Sequence, residues 1–440
     1  MVLAELPRPA VVFSERSFFV ENREEFSQEE LLARHRRSLE TILAEQNPVT
    51  GLFPAAVFPH VDLKARMHDA WVRDNAVLAD ALGNPYSQSI AGINQNQKEL
   101  INSGKKAAEK WLHSQTAFFA EDVNLFKQRI AVLRDDAGKR FRCLTSAAPP
   151  IHSQTDGQEY EWPEPNQPDS FGFYLIALAG ALEQGMKLSM DEQITVGNMV
   201  SFLSRADLCH LQQTSMWEWG KVYDPPPISS IALVTHGLHL ISPFMIDSTW
   251  KQIKETVHKG QRFVREKYPY EYTCPEGHYG KTDLATLVAM GHGAMDYVDP
   301  QIYFTASDTE RRIGDDPGGI RYIGDHYYRG SESLDIKVKE ARWLLDELYR
   351  ANIGIDIGID QAKRGNLTDA KIFQAMGHQF LRRATNIFDK YGYAVELLYY
   401  NDEGKLVPNI NHLLWNEAMI VNVTAKSLYL SDLADRLSLK

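Results

Sequence analysis

At 440 residues, with 47 Lys and Arg against 58 Asp and Glu and a net charge of −11, the chain has no excess positive charge to neutralise a run of phosphates, which argues against a nucleic-acid partner. A composition that is 44% hydrophobic and 24% charged excludes a disordered chain and allows a sizeable core. No apolar run reaches the ~18 residues of a membrane span, and the opening MVLAELPRPAVVFSERSFF has no basic stretch followed by an apolar one, so the expectation is a cytoplasmic protein.

The first predicted element is an amphipathic helix over 27–46, opened by a Ser27/Glu30 capping box. GLFPAA (Gly51–Ala56) and DAWVRDNAV (Asp69–Val77) follow, the second placing Arg73 and Asp74 beside an aromatic at a helix start. Long polar-faced helix is predicted over 96–134, and short strands at 140–144 and 158–162 would make a small hairpin. The loop EWPEPNQPDS, which carries Trp162, Gln167 and Asp169, leads into FGFYLIALAGA (Phe171–Ala181), apolar nearly all round.

SMWEWGK (Ser215–Lys221) sets Glu218 between two tryptophans, and the prolines at 225–227 fix a loop before the apolar helix Ile231–Ile241. A polar-faced helix over 249–267 and an apolar one over Leu284–Met290 come next. PGGIRYIGDHYYRG (Pro317–Gly330) is a glycine and aromatic loop with Arg321 and Asp325. It is flanked by a very short helix around Ser307–Ile313 and by a helix over Ser333–Tyr349, which Lys337, Lys339, Glu340 and Arg342 make more charged than an inner helix should be. One hairpin is therefore expected to be irregular. A polar-faced helix over 366–390, a polar turn after Glu396, and an apolar helix over Leu413–Leu430 complete the chain.

A helix that is hydrophobic on every side is buried on every side. The alternation of polar-faced and all-apolar helices therefore predicts an all-α fold with little β structure, in which hairpins wrap into a ring with their inner helices forming a closed barrel. No linker divides the chain, so a single domain over 1–440 is expected, with 1–26 as an N-terminal extension.

Read singly, each candidate residue has an ordinary explanation. Arg73 and Asp74 fit an ion pair and a cap, Asp169 a helix-start cap, Trp162 a partly buried aromatic, and any carboxylate a solvated surface group. The functional alternative for Arg73 and Asp74 is a fork of donors and acceptors for sugar hydroxyls. For Glu218 it is a carboxyl shielded by Trp217 and Trp219 and kept protonated for donation. Cys143, Cys209 and Cys274 are odd in number and widely spaced, and the 14 His show no metal-ligand spacing, so neither a disulfide framework nor a metal site is expected.

Taken in order, GLFPAA with WVRDN, QPDSFGFYL, WEWGK, GGIRYIGDHYYRG and VELLYY…NHLLWNEA resemble the glucoamylase-type hydrolases of glycoside hydrolase family 15, and also the N-terminal domain of phosphorylase kinase α and β regulatory subunits. The resemblance covers roughly residues 50–430. It implies an (α/α)6 toroid and an inverting, exo-acting hydrolase that releases glucose from the non-reducing end of a short α-glucan or small glucoside without any cofactor. It further implies Glu218 as general acid and Glu396 as general base, with Glu403 and Glu417 as nearby alternatives for the base. Arg73 and Asp74 would grip the terminal glucose and Arg321 the next sugar, and Trp162, Asp169, Trp217 and Trp415 would line the site. It also allows a non-catalytic carbohydrate sensor or regulatory protein and, third, another chemistry on a similar toroid, such as a glycoside phosphorylase, trehalase or epimerase.

Overall fold

An all-apolar helix is stable only when neighbours cover all its sides. In the computed structural model of the chain such helices cover one another by closing into a ring. The structure describes residues 25–57, 70–90, 94–121, 151–152, 167–210, 213–214, 216, 222–223, 226–245, 247–273, 279–296, 298–311, 317–321, 341–401, 405–408 and 412–438. Among them, outer and inner helices alternate. The outer set is α1 (Gln28–Ala44), α4 (Gln95–Glu121), α6 (Met190–Arg205), α8 (Asp247–Lys267), α10 (Pro300–Arg311) and α12 (Leu367–Tyr391). The inner set is α2 (Val72–Leu82), α5 (Asp169–Glu183), α7 (Ile228–Ile241), α9 (Leu284–Gly291), α11 (Leu345–Lys363) and α13 (Leu414–Ser438), and α3 (Pro85–Gln88) is a single turn.

Each inner helix touches the next, and α13 returns to α2, so the fold is an (α/α)6 toroid. Apolar residues such as Leu178, Ile231, Leu233 and Leu287 are fully buried in it. Each contributes about 1.5–3 kcal/mol by leaving water. α5 and α7 meet backbone to backbone: a Cβ at Gly172 would lie 2.6 Å from the carbonyl carbon of Leu233, and one at Gly237 would lie 2.8 Å from the oxygen of Gly172. The outer helices start on side-chain caps where the sequence supplies them, with reciprocal boxes at Ser27/Glu30 and Ser189/Glu192.

The strands are two to four residues long and lie in the connections that run from an outer to an inner helix. β1 (Ala56–Val57) pairs β11 (His412–Leu413), and β2 (Ala70–Trp71) pairs β3 (Ile151–His152). β4 (Gln213–Thr214) pairs β5 (Val222–Tyr223), and β6 (Tyr272–Thr273) pairs β7 (Tyr279–Lys281). β8 (Arg342–Trp343), β9 (Leu397–Tyr400) and β10 (Leu406–Pro408) form a three-stranded antiparallel sheet in the order β10–β9–β8. Among the described residues the returns from inner to outer helices carry no strand, so the strand-bearing loops sit at the end where the inner helices begin.

The fifth hairpin departs from the sequence reading. α10 begins at Pro300 and spans 12 residues, with Asp299 Oδ1 accepting from Gln301 N at 2.9 Å, so it is not the short piece expected around Ser307. α11 begins at Leu345, directly after β8, and runs to Lys363 as a fully formed inner helix, while the part of the expected helix over 333–340 lies outside the described residues. Of the charges that made it look unlike an inner helix, Arg342 belongs to β8 ahead of the helix, Lys337, Lys339 and Glu340 lie outside the described residues, and the helix's own Asp346, Glu347 and Arg350 are buried together. The hairpin expected at 140–144 and 158–162, and the continuation of α4 beyond 121, lie outside the described residues. No described helix is long and apolar enough to cross a membrane.

Candidate functional site

The candidate residues that are described gather where the inner helices start. Trp71 ends β2 and N-caps α2 without a side-chain bond, which puts Arg73 and Asp74 in the helix's first turn. Arg73 is 7% exposed; its Nη1 lies 3.6 Å from Asp169 Oδ2 and its Nε 3.8 Å from Asp74 Oδ2. Nη1 also donates to the carbonyl of Met216, and the guanidinium carbon lies 5.7 Å from the Trp415 ring centre and 5.9 Å from that of Trp71. Burial pushes the carboxyls of Asp74 and Asp169 up, and Arg73 opposes this in both.

Asp169 is not the expected cap, since Pro168 precedes α5 and Asp169 is its first helical residue. Both its oxygens, both polar atoms of Gln167 and the hydroxyl of Ser170 are buried without a hydrogen-bond partner among the described residues. Such groups at one helix start are costly unless something else satisfies them, by about 1–3 kcal/mol each.

A second group forms around Arg321. Its guanidinium carbon stacks 4.1 Å from the centre of Trp343, and its carbonyl accepts from Leu284 N at 2.8 Å, tying the loop to the start of α9. The loop's shape needs its glycines. Gly318 has φ +82° and donates to Glu347 Oε1 at 3.0 Å, and a Cβ on Gly319 would sit 2.8 Å from the Asp346 carboxyl. Trp343 in β8 pairs with Leu397 in β9, so Glu396 immediately precedes the strand that flanks this platform and is itself 3% exposed. Asn416 Nδ2 donates to Val395 O at 2.7 Å, fixing the backbone beside Glu396 to α13.

Glu218, Trp217 and Trp162 lie outside the described residues, as do Asp325 and Glu403. β4 and β5 bracket the SMWEWGK segment in sequence, and within it Met216 is the residue held by Arg73. Glu417 faces the outer layer instead: Ser38 donates to its Oε2 at 2.5 Å, and His412 Nε2 lies 2.7 Å from its Oε1. Trp415 anchors the ring interior, its Nε1 donating to Tyr349 OH at 2.7 Å, while Tyr349 OH and His292 Nε2 lie 2.9 Å apart.

Sequence reasoning gave no role to Asn75, Trp343, Tyr349, His292 or the buried set Asp346, Glu347 and Arg350. Asn75 stands within WVRDN and could have been singled out there. Its amide accepts from Phe53 N at 2.8 Å and donates to Phe53 O at 2.8 Å and Trp71 O at 3.0 Å, clamping GLFPAA onto α2. Glu271, also missed, bonds Ser229 and Thr286, joining the starts of α7 and α9. Burial, with Asp283 nearby, raises its carboxyl to about 8. Cys209 is buried, its thiol pushed up to about 11.

Six helical hairpins closed into a ring are also the fold of glucoamylases. The chain belongs to glycosyl hydrolases family 15, whose model it matches over residues 32–368. The glucoamylase from Saccharomycopsis fibuligera superposes with a TM-score of 0.62 at 14% identity, covering 97% of this chain and 99% of that one. A glycosidase variant solved in complex with glucose gives 0.61 at 16% identity, covering 92% and 98%. In sequence, a probable phosphorylase b kinase regulatory subunit alpha from Drosophila melanogaster is 23% identical over 327 residues, 69% of this chain. The liver isoform of that subunit from Takifugu rubripes is 31% identical over 195 residues, 41% of this chain. The chain spans only 24% and 14% of those two subunits.

Proposed function

We infer that the chain is an inverting, exo-acting α-glucoside hydrolase that releases glucose from the non-reducing end of a short α-glucan or small glucoside, with Glu218 as general acid and Glu396 as general base. The observation that carries this reading is the cluster of buried polar atoms on Gln167, Asp169 and Ser170 that find no hydrogen-bond partner among the described residues, beside Arg73, which pairs with Asp169, and the Trp71 and Trp415 rings. A sugar presents hydroxyls to the first and an apolar ring face to the second.

Arg73, held between Asp74 and Asp169, offers a fixed donor fork to the terminal glucose, and Arg321 on Trp343 offers another to the following sugar. Inversion needs a protonated carboxyl at the leaving oxygen and a carboxylate activating water on the opposite face, about 6.5–9.5 Å away. Glu396 suits the second role because it is buried beside the Arg321 platform, whereas Glu417 is engaged by Ser38 and His412. The same reading takes 1–440 as one catalytic domain, with 1–26 as an extension, working in the cytoplasm without a cofactor.

The test is to incubate the protein with maltose, isomaltose, trehalose and longer glucans and to follow the anomer released by proton NMR. Initial β-glucose, lost in both Glu218→Gln and Glu396→Gln, is expected. Release that survives both substitutions refutes the site assignment. A second reading, a sugar-binding regulator without turnover, is favoured by the similarity to the phosphorylase b kinase regulatory subunits. Saturable sugar binding with no product on any of these substrates would select it.

A further inference from the structure

The ring has two ends, and the one where the inner helices finish holds a cavity of about 770 Å³. Its floor is apolar, built by Ile176, Leu240, Met290 and Ile353, and Asp80 and His292 contribute to the wall. Tyr349 OH is hydrogen-bonded both to His292, which lines this chamber, and to Trp415, whose ring lies beside Arg73, so a layer of three side chains separates the chamber from Arg73. The chamber is thus distinct from the candidate hydrolytic site.

Five carboxylates and three basic side chains line it, and much of that charge is already matched. Lys426 Nζ lies 2.7 Å from Asp356 Oδ2 and donates to Asn352 Oδ1 at 3.0 Å, and Arg364 Nη2 lies 2.8 Å from Asp360 Oδ2. What remains is a mixed set of acceptors and donors. Glu183 and Lys363 stand exposed at the rim. Deeper in, Asn422 is only 4% exposed; its Oδ1 accepts from Asn84 Nδ2 at 2.6 Å, which leaves its own Nδ2 donor without a hydrogen bond among the described residues. A ligand that is all cation would leave that donor unmatched, and an anion would meet the carboxylates. Hydroxyl groups both donate and accept, and a compact ring suits the apolar floor.

α5 also leaves room here. Gly180 lines the chamber from a helix interior, and a Cβ there meets nothing within 4 Å. Alanine would make a better helix by about 1 kcal/mol, so packing does not demand the glycine.

We propose that the chamber at the C-terminal end of the inner helices is a second ligand site, taking a small neutral ring polyol such as a monosaccharide or cyclitol. The proposal stands independently of the hydrolase reading. The probe is myo-inositol, which has no glycosidic bond, with glucose beside it and glucose 6-phosphate and spermidine as charged controls.

Binding to the full chain is read by saturation-transfer NMR and titration calorimetry, with circular dichroism to check folding. Saturable inositol binding is expected, with glucose 6-phosphate at least about tenfold weaker. Asn422→Asp keeps the oxygen that Asn84 uses and removes the free donor, so it should weaken inositol about tenfold. Gly180→Trp projects an indole into the chamber and should weaken inositol binding by at least about tenfold while any maltose turnover persists. Absence of saturable inositol binding, binding indifferent to Gly180→Trp, or a site that takes spermidine in preference to inositol each overturns the proposal. Absence of turnover in the unsubstituted protein counts against the hydrolase reading alone.

Discussion

Replacing Asn75 by alanine removes three hydrogen bonds at once, because one side-chain amide serves both backbone groups of Phe53 and the carbonyl of Trp71. Asn75 and Phe53 are both 0% exposed, so the abandoned backbone groups gain no water in exchange. At about 0.5–1.5 kcal/mol net per bond the loss lies between about 1.5 and 4.5 kcal/mol, and the dry surroundings favour the upper half, about 3–4 kcal/mol. Asn75→Asp should be no better. It retains an acceptor for Phe53 N but turns an oxygen towards two carbonyls. Equilibrium urea unfolding followed by tryptophan fluorescence reads the shift directly, with the slope checked for constancy. A cost below about 1 kcal/mol for the alanine variant, or an aspartate variant as stable as the parent, would show that the clamp on GLFPAA is not what holds the start of α2.

Three further outcomes follow from buried charge. Glu271, raised from 4.5 to about 8, binds a proton in the folded state that the unfolded chain has released, so its stabilising share is complete below pH 4.5 and lost as pH rises towards 8; Glu271→Gln should flatten stability across that window in thermal melts. His35 and His378, both lowered from 6.5 to about 4 chiefly by burial, act in the opposite sense, contributing stability above pH 6.5 that is lost as pH falls through 4. His378→Gln should therefore shift acid unfolding to lower pH, and an unchanged acid midpoint would exclude its role. Arg350→Met takes a guanidinium from 2.8 Å beside the fully buried Asp346 and should cost about 3–5 kcal/mol, whereas Asp346→Leu combined with Arg350→Met should recover much of it; additive losses in the double variant would refute the pairing.

How much of this was legible in the sequence depends on whether a residue's partners share its segment. FGFYLIALAGA and IALVTHGLHLI declare burial by themselves, and α5 and α7 are found where that pattern puts them. α11 hid its nature because Arg342, counted as part of a charged helix, belongs to the strand before it, and because the partners of Glu347 and Arg350, which are Gly318, Ser307 and Arg383 of α12, come from other segments. The two-residue strands left no alternation to detect. At the site, Arg73 and Asp169 were visible as residue types, but their 3.6 Å approach joins segments 96 positions apart (169 − 73), which no local pattern encodes. The platform under Arg321 was missed for the same reason, since Trp343 reaches it only after β8 turns back on Gly319.

Closure of the ring makes the first and last parts of the chain one structure: α1 and α2 pack on α13, β1 pairs β11, and Ser38 bonds Glu417. During synthesis the earlier hairpins emerge with their future neighbour still inside the ribosome, and Arg73 waits for the Trp415 ring beside it. A chain halted before Leu414 would be an open horseshoe with one flank of α2 bare, prone to seek a substitute helix from another molecule.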